Sequence, residues 1–165
     1  MWKYLLLGML IFISCKEESV PTGFLTEDQD VQVTIDHASG EMYGELPYLP
    51  LLGNVASVSK ENPGQILILG KKLDEGQDVY IRPIGIMKYA EDQDEKVLIV
   101  AIPTNPQLRT IDVDDLVDFS VKYGSIKRII EQWYASYRGL GKNRIIGWDN
   151  KTVALDVLIP ETPEQ

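Results

Sequence analysis

Apolar and polar residues alternate along Val31-Gln32-Val33-Thr34-Ile35, the pattern of a strand with one buried face. His37 to Gly40 reads as a turn, and Glu41 to Tyr43 as a returning strand. Leu46 to Val55 carries two prolines and Gly53 and reads as an irregular loop. Ile66 to Leu69 is a short apolar strand, and Lys71 to Gln77 a polar turn containing Gly76. Val79 to Met87 is strand-like around Pro83, which cannot donate to a ladder and so marks an edge or a bulge. Glu91 to Lys96 reads as a charged hairpin tip. Val97 to Ile102 is the most apolar run of the domain, a central strand stopped by Pro103. Short strands with turn signals between them predict a small barrel or sandwich.

The period then changes. Ile126, Ile129, Ile130, Trp133, Tyr134 and Tyr137 fall on one face of a helix. Ser120 or Ser125 could start it and Gly139 would stop it. Ile145 to Trp148 reads as a final strand, and Thr152 to Ile159 as a short closing helix or strand. The expected fold class is mainly β with α, a barrel with one long C-terminal helix packed across it.

Residues 1–14 stand outside this pattern. Lys3 precedes an apolar run from Tyr4 to Ile13, too short to span a bilayer but suited to a signal peptide. Cys15 is the only cysteine, so no disulfide framework exists. Phe12-Ile13-Ser14-Cys15 resembles the lipobox of bacterial lipoproteins, with Phe12 where leucine is usual. That resemblance implies lipidation of Cys15 as the first residue of the mature chain. Lys16-Glu17-Glu18 resembles the tag that sends some lipoproteins to the cell surface. The expected place is the bacterial cell envelope, at the outer membrane and surface-exposed. The expected domains are a signal peptide over 1–14, a lipidated Cys and flexible tether over 15–30, a folded domain over 31–160 and a tail over 161–165.

The chain has 165 residues, enough for one domain with a real core. Its formal net charge is -9. An acidic chain repels phosphate backbones, so no nucleic-acid partner is expected. It also holds a bare polyphosphate poorly without metal ions. One histidine, His37, has no second imidazole to join it, which argues against a zinc site.

A set of ordered motifs carries a resemblance. Ile35-Asp36-His37-Ala38-Ser39-Gly40 is followed by Val79-Tyr80-Ile81-Arg82-Pro83-Ile84-Gly85-Ile86-Met87-Lys88 and an acidic hairpin. Leu98 to Pro103, Ile111 to Leu116, Tyr137-Arg138 and Gly147-Trp148 follow in order. Together they resemble the soluble, magnesium-dependent (family I) inorganic pyrophosphatases across about residues 31–158. The resemblance implies a five-stranded OB-like barrel with helices, magnesium as cofactor and homo-oligomers.

It also implies a damaged active site. The family's metal-binding aspartate loop, "D-G-D-P-x-D", is Lys60-Glu61-Asn62-Pro63-Gly64-Gln65 here. Lys60, Asn62 and Gln65 replace the three aspartates, so no catalytic residue is assigned. The family's Lys-x-Glu becomes Gln32-Val33-Thr34, and its Asn-Tyr-Gly becomes Leu51-Leu52-Gly53. Its arginine falls near Glu45 or Leu46. Magnesium needs hard oxygen ligands. Glu61, Glu91 and Asp94 are the candidates for a rebuilt metal site. For Glu91, Asp92, Asp94 and Glu95 the other reading is a solvated hairpin tip. Tyr137, Arg138 and Lys96 are candidates for anion binding. Trp133 and Tyr134 are read as packing residues.

Hydrolysis of pyrophosphate rests on positioning and charge neutralisation. Losing one charge-stabilising group costs about 10²–10³ in rate. Losing a general base costs about 10²–10⁴. Three ligand losses in one loop therefore predict a non-catalytic binding or structural module, anchored to the membrane through Cys15, with a protein partner in the envelope and no cofactor. The alternative is an active magnesium-dependent diphosphatase with a rebuilt site.

Overall fold

The computed structural model of the protein describes residues 30–42, 52–58 and 65–159. Residues 1–29, which include Cys15, the expected signal peptide and most of the expected tether, lie outside the described residues, as do Leu46, Leu51, Lys60, Glu61 and Asn62.

Among the described residues six strands form one sheet: β1 (Val31–His37), β2 (Asn54–Ser57), β3 (Ile66–Ile68), β4 (Asp78–Glu91), β5 (Asp94–Pro103) and β6 (Asn143–Asn150). They run in the order β1-β2-β3-β5-β4-β6, and β1 also pairs with β4. That extra pairing closes β1, β2, β3, β5 and β4 into a five-stranded barrel, with β6 added outside on β4. The β3–β5 pair is parallel, and every other pairing is antiparallel.

The 14-residue β4 is the spine. Its first residues pair with β1, and Gly85 to Glu91 pair with β6. Pro83 sits where the β4–β5 register shifts between Pro83 and Gly85, so the bulge absorbs its missing donor. Because β4 runs on to Glu91, that residue is the end of a strand and not part of a tip. The turn itself is only Asp92 and Gln93, with Asp92 at φ 55°.

Two apolar layers follow from the strand period of two. Val31, Val33, Ile35, Ile66, Ile68, Ile81, Ile86 and Ile99 fill the barrel, closed by Ala154 and Leu158 of α3 (Lys151–Leu158). The opposite faces of the strands, with Leu67, Met87, Tyr89, Leu98 and Val100, pack against Phe119, Ile130, Trp133, Tyr134 and Tyr137. Those aromatic residues come from α1 (Leu116–Lys122) and α2 (Gly124–Ser136), with Tyr137 as the C-cap of α2.

The helix expected from the 126–137 periodicity is α2, and a separate short helix precedes it. Tyr123, at φ −129°, ψ 33°, breaks the two apart. Neither Ser120 nor Ser125 is a cap. Asp115 caps α1 by accepting from the Asp118 backbone N–H at 2.8 Å, while the Ser120 hydroxyl bonds back to the Leu116 carbonyl. Gly139 lies just past α2 at φ 109°, a conformation that favours glycine. Thr152 to Ile159 resolves to helix, capped by Asn150.

β2 falls partly in the stretch read as an irregular loop; of the strand expected over Glu41 to Tyr43, Met42 makes a bridge and Tyr43 lies outside the described residues. Gly53, just before β2, allows the close approach to β3, because a Cβ there would lie 2.6 Å from the Ile68 carbonyl oxygen. Asp30, assigned to the tether by the sequence, is buried against the Arg82 guanidinium, with Nε donating at 3.3 Å. Among the described residues no helix is long and apolar enough to cross a membrane.

Candidate functional site

The β4–β5 hairpin and the end of α2 bring the candidate residues together. Met87, Tyr89 and Glu91 alternate along β4, and Met87 and Tyr89 belong to the helix-facing layer. The same parity carries Glu91 to that face, where it is buried. Lys96 stands opposite Tyr89 in the β4–β5 register, and Asp94 opposite Glu91. Tyr137 and Arg138 reach the hairpin from the end of α2.

Glu91 is the centre of this cluster. Its Oε2 pairs with Lys96 Nζ, and its Oε1 lies 2.7 Å from Arg138 Nε. The Arg138 Nε–H donates to the Tyr137 hydroxyl at 3.3 Å, so Arg138 holds Oε1 by charge without an aligned hydrogen bond. The Glu91 side chain is 11% exposed, against 45% for Lys96 and 50% for Arg138. The cations are thus wet while the carboxylate between them is dry. The hydrogen bond to Glu91 is the main cause holding the Lys96 ammonium above its usual pKa.

An aromatic wall backs the cluster. Tyr137 stacks on Trp133 at 5.0 Å and 4°, and Arg138 lies over the Tyr137 ring at 5.7 Å. Tyr89 and Tyr134 approach at 5.7 Å. Burial pushes the Tyr89 phenol far above its usual pKa, reinforced by Tyr137 and Glu91. Tyr89 is the site residue that the sequence reading missed. Its signal was available, since it shares the parity of Met87 and Glu91.

The remaining candidates do not join. Asp94 shares the hairpin face but is exposed. Gln65 is exposed, and its backbone carbonyl accepts from the Ile99 N–H at 2.8 Å. The solvated reading therefore fits Asp92, Asp94 and Glu95 and fails for Glu91. Leu52 is 38% exposed.

A magnesium cluster needs several open carboxylate oxygens. Both oxygens of Glu91 face cations instead. Among the described residues the one group of three neighbouring ligand side chains is His37, Glu41 and Glu75. The described residues of the hairpin do not fit a magnesium cluster. What they can do is hold a carboxylate, or another oxyanion in its place, between an ammonium, a guanidinium and a phenol.

The family model for inorganic pyrophosphatase matches residues 40–162. No curated protein matches the chain in sequence. Among solved structures, an inorganic pyrophosphatase from Neisseria gonorrhoeae superposes with a TM-score of 0.68 at 16% identity, over 86% of this chain and 93% of that one. The enzyme from Thermus thermophilus gives 0.67 at 16%, over 85% and 92%. That from Coxiella burnetii gives 0.66 at 18%, over 84% and 95%. The likeness in structure extends along nearly the whole of these proteins and shows the same fold. With the family model spanning most of the domain, this chain belongs to the inorganic pyrophosphatase family.

Proposed function

We propose that this protein is a lipid-anchored member of the bacterial envelope in which the pyrophosphatase barrel serves as a binding or structural module and not as a catalyst. The observation that carries this reading is the Glu91 carboxylate, held between Lys96 and Arg138. By the family resemblance Glu91 stands where an aspartate binds metal. The longer glutamate instead meets the two cations of its own chain, so negative charge already occupies the space for an incoming anion. The substitutions at Lys60, Asn62 and Gln65 act in the same direction, since a cation and two neutral amides replace carboxylates that would hold magnesium.

By the family resemblance Leu51 and Leu52 stand at the Asn-Tyr positions, and Leu46 lies at or beside the arginine position, so the sequence there is more apolar than the family's. A more apolar rim suits a protein partner in the envelope better than a hydrated metal–pyrophosphate complex. The anchor is Cys15, and its acyl chains supply the membrane affinity that an acidic domain lacks.

The test is phosphate release from pyrophosphate by the chain from Ser19 onward with magnesium at millimolar concentration. Release no faster than in buffer is the expected result. Magnesium-dependent turnover would establish the opposite, an active diphosphatase rebuilt around Glu61, Glu91 or Asp94. The anchor is tested separately by labelling cells with a palmitate analogue, with incorporation expected in the wild-type chain and absent from Cys15→Ser.

A further inference from the structure

A second cluster sits at the other end of β4, where Asp78 pairs with Thr34 of β1. His37 ends β1, Glu41 lies past the turn that follows, and Glu75 belongs to the turn before β4. One ligand atom from each of the three lies within 4.8 Å of the other two. His37 Nδ1 is 3.4 Å from Glu75 Oε1. That is the distance of a loose ion pair. It equals one edge of a zinc tetrahedron, since ligands about 2.0–2.2 Å from the ion at a tetrahedral angle stand about 3.4 Å apart.

We propose that His37, Glu41 and Glu75 form a binding site for a zinc-like divalent cation, with a further coordination position open to water. The ligand chemistry selects the metal class. An imidazole nitrogen with two carboxylates suits zinc and its transition-metal neighbours, whereas magnesium prefers oxygen alone. A neutral imidazole and two carboxylates carry two negative charges, which a divalent cation neutralises. The His37 and Glu75 side chains are 46% and 54% exposed, so coordination demands little further desolvation.

The scaffold holds the ligands in register. The Ile35 N–H donates to the Gln77 carbonyl at 2.9 Å, and the Gly76 N–H to the Ile35 carbonyl at 2.8 Å, which ties the Glu75 turn to β1. The Glu41 N–H closes its own turn on the Ala38 carbonyl at 3.3 Å. Buried Asn54 braces both segments, because its Oδ1 accepts from the Ser39 and Leu73 N–H groups at 3.0 Å each. Glu41 follows His37 within one turn, but Glu75 is distant in sequence, so only the folded barrel brings Glu75 to His37.

The chain contains one histidine, so its imidazole proton signals are unambiguous in NMR. Zinc titrated into the full-length protein near neutral pH is expected to shift or broaden that signal until one equivalent is bound. Magnesium at the same concentration is expected to leave it in place. The Glu41→Gln/Glu75→Gln double variant is expected to lose at least about tenfold in zinc affinity. An imidazole that ignores millimolar zinc, or responds equally to magnesium, would overturn the proposal. So would a double variant that binds zinc as tightly as wild type, since a lone imidazole would then suffice. His37→Asn, read by calorimetry, provides a second route. The heat of zinc binding is expected to vanish, and its persistence would count against the site.

Discussion

Arg138 Nε lies 2.7 Å from Glu91 Oε1, a contact that ties the end of α2 to the last residue of β4. The pairing is asymmetric, with a buried carboxylate and a half-exposed guanidinium. Solvent screens such cations, so the contact contributes about 1 kcal/mol or less to stability. Its larger consequence is occupancy. Glu91→Ala is expected to lower stability only slightly and to raise affinity for inorganic phosphate, because Lys96, Arg138 and Tyr137 then face a vacant carboxylate position. Calorimetric titration of phosphate into wild type and variant measures this. Equal, negligible binding in both would mean that the two cations do not form an anion site even when released.

Alkaline pH is the condition that separates the buried phenol from its surroundings. Burial raises the Tyr89 pKa above its ordinary value of 10.0, so the folded chain keeps the proton after the unfolded chain has lost it. Stability from this group is full below about pH 10 and falls as pH rises beyond that. Lys96 acts in the same sense. Its folded pKa is raised above 10.5 mainly by Glu91, so its contribution is also full below that value and lost above it. Urea unfolding from about pH 8 to about pH 11 should therefore show a plateau followed by a decline. Tyr89→Phe keeps the ring and removes the phenol, and is expected to make the decline shallower. An unchanged decline would assign it to Lys96 and the other lysines.

Asn54 is expected to be among the costliest polar residues to truncate. It is fully buried, and its side chain makes three hydrogen bonds: Oδ1 accepts from Ser39 N and Leu73 N, and Nδ2 donates to the Lys71 carbonyl at 2.9 Å. Each buried backbone group left without a partner costs about 1–3 kcal/mol. Asn54→Ala should lose about 3 kcal/mol in denaturant unfolding. A loss below about 1 kcal/mol would mean that water replaces the side chain.

These residues also mark what the sequence could reveal. β1 was legible from its alternation of apolar and polar residues, β3 and β5 from continuous apolar runs, β6 from the stretch Ile145 to Trp148, and α2 because six apolar positions repeat at its period. β2 was hidden. It is four residues long, begins with a polar Asn54 whose function is to brace two distant turns, and follows a proline- and glycine-rich stretch. The burial of Glu91 was hidden by its neighbours. Asp92, Asp94 and Glu95 make the segment look solvated, and only the parity inherited from Met87 and Tyr89 places Glu91 inside. Glu75 could not be linked to His37 by any local rule, because their proximity depends on closure of β1 against β4.

Trp148 and Glu131 join α2 to β6 and test how far this added strand is coupled to the helix. The indole Nε1–H donates to Glu131 Oε1 at 2.7 Å, and Lys127 Nζ reaches the same oxygen at 3.0 Å while lying 4.7 Å from the Trp148 ring centroid. Glu131 and Lys127 are 27% and 22% exposed, so the trio is partly shielded from solvent. A hydrogen bond to a charged acceptor contributes about 1.5–3 kcal/mol. Trp148→Phe keeps the ring packing against Phe119 and deletes the donor, and a loss near 1.5 kcal/mol is expected. The double-mutant cycle with Glu131→Gln isolates the bond, since each change removes or weakens the same contact. A coupling energy of about 1 kcal/mol is expected. Coupling near zero would show that β6 is held by its ladder to β4 and by apolar packing alone.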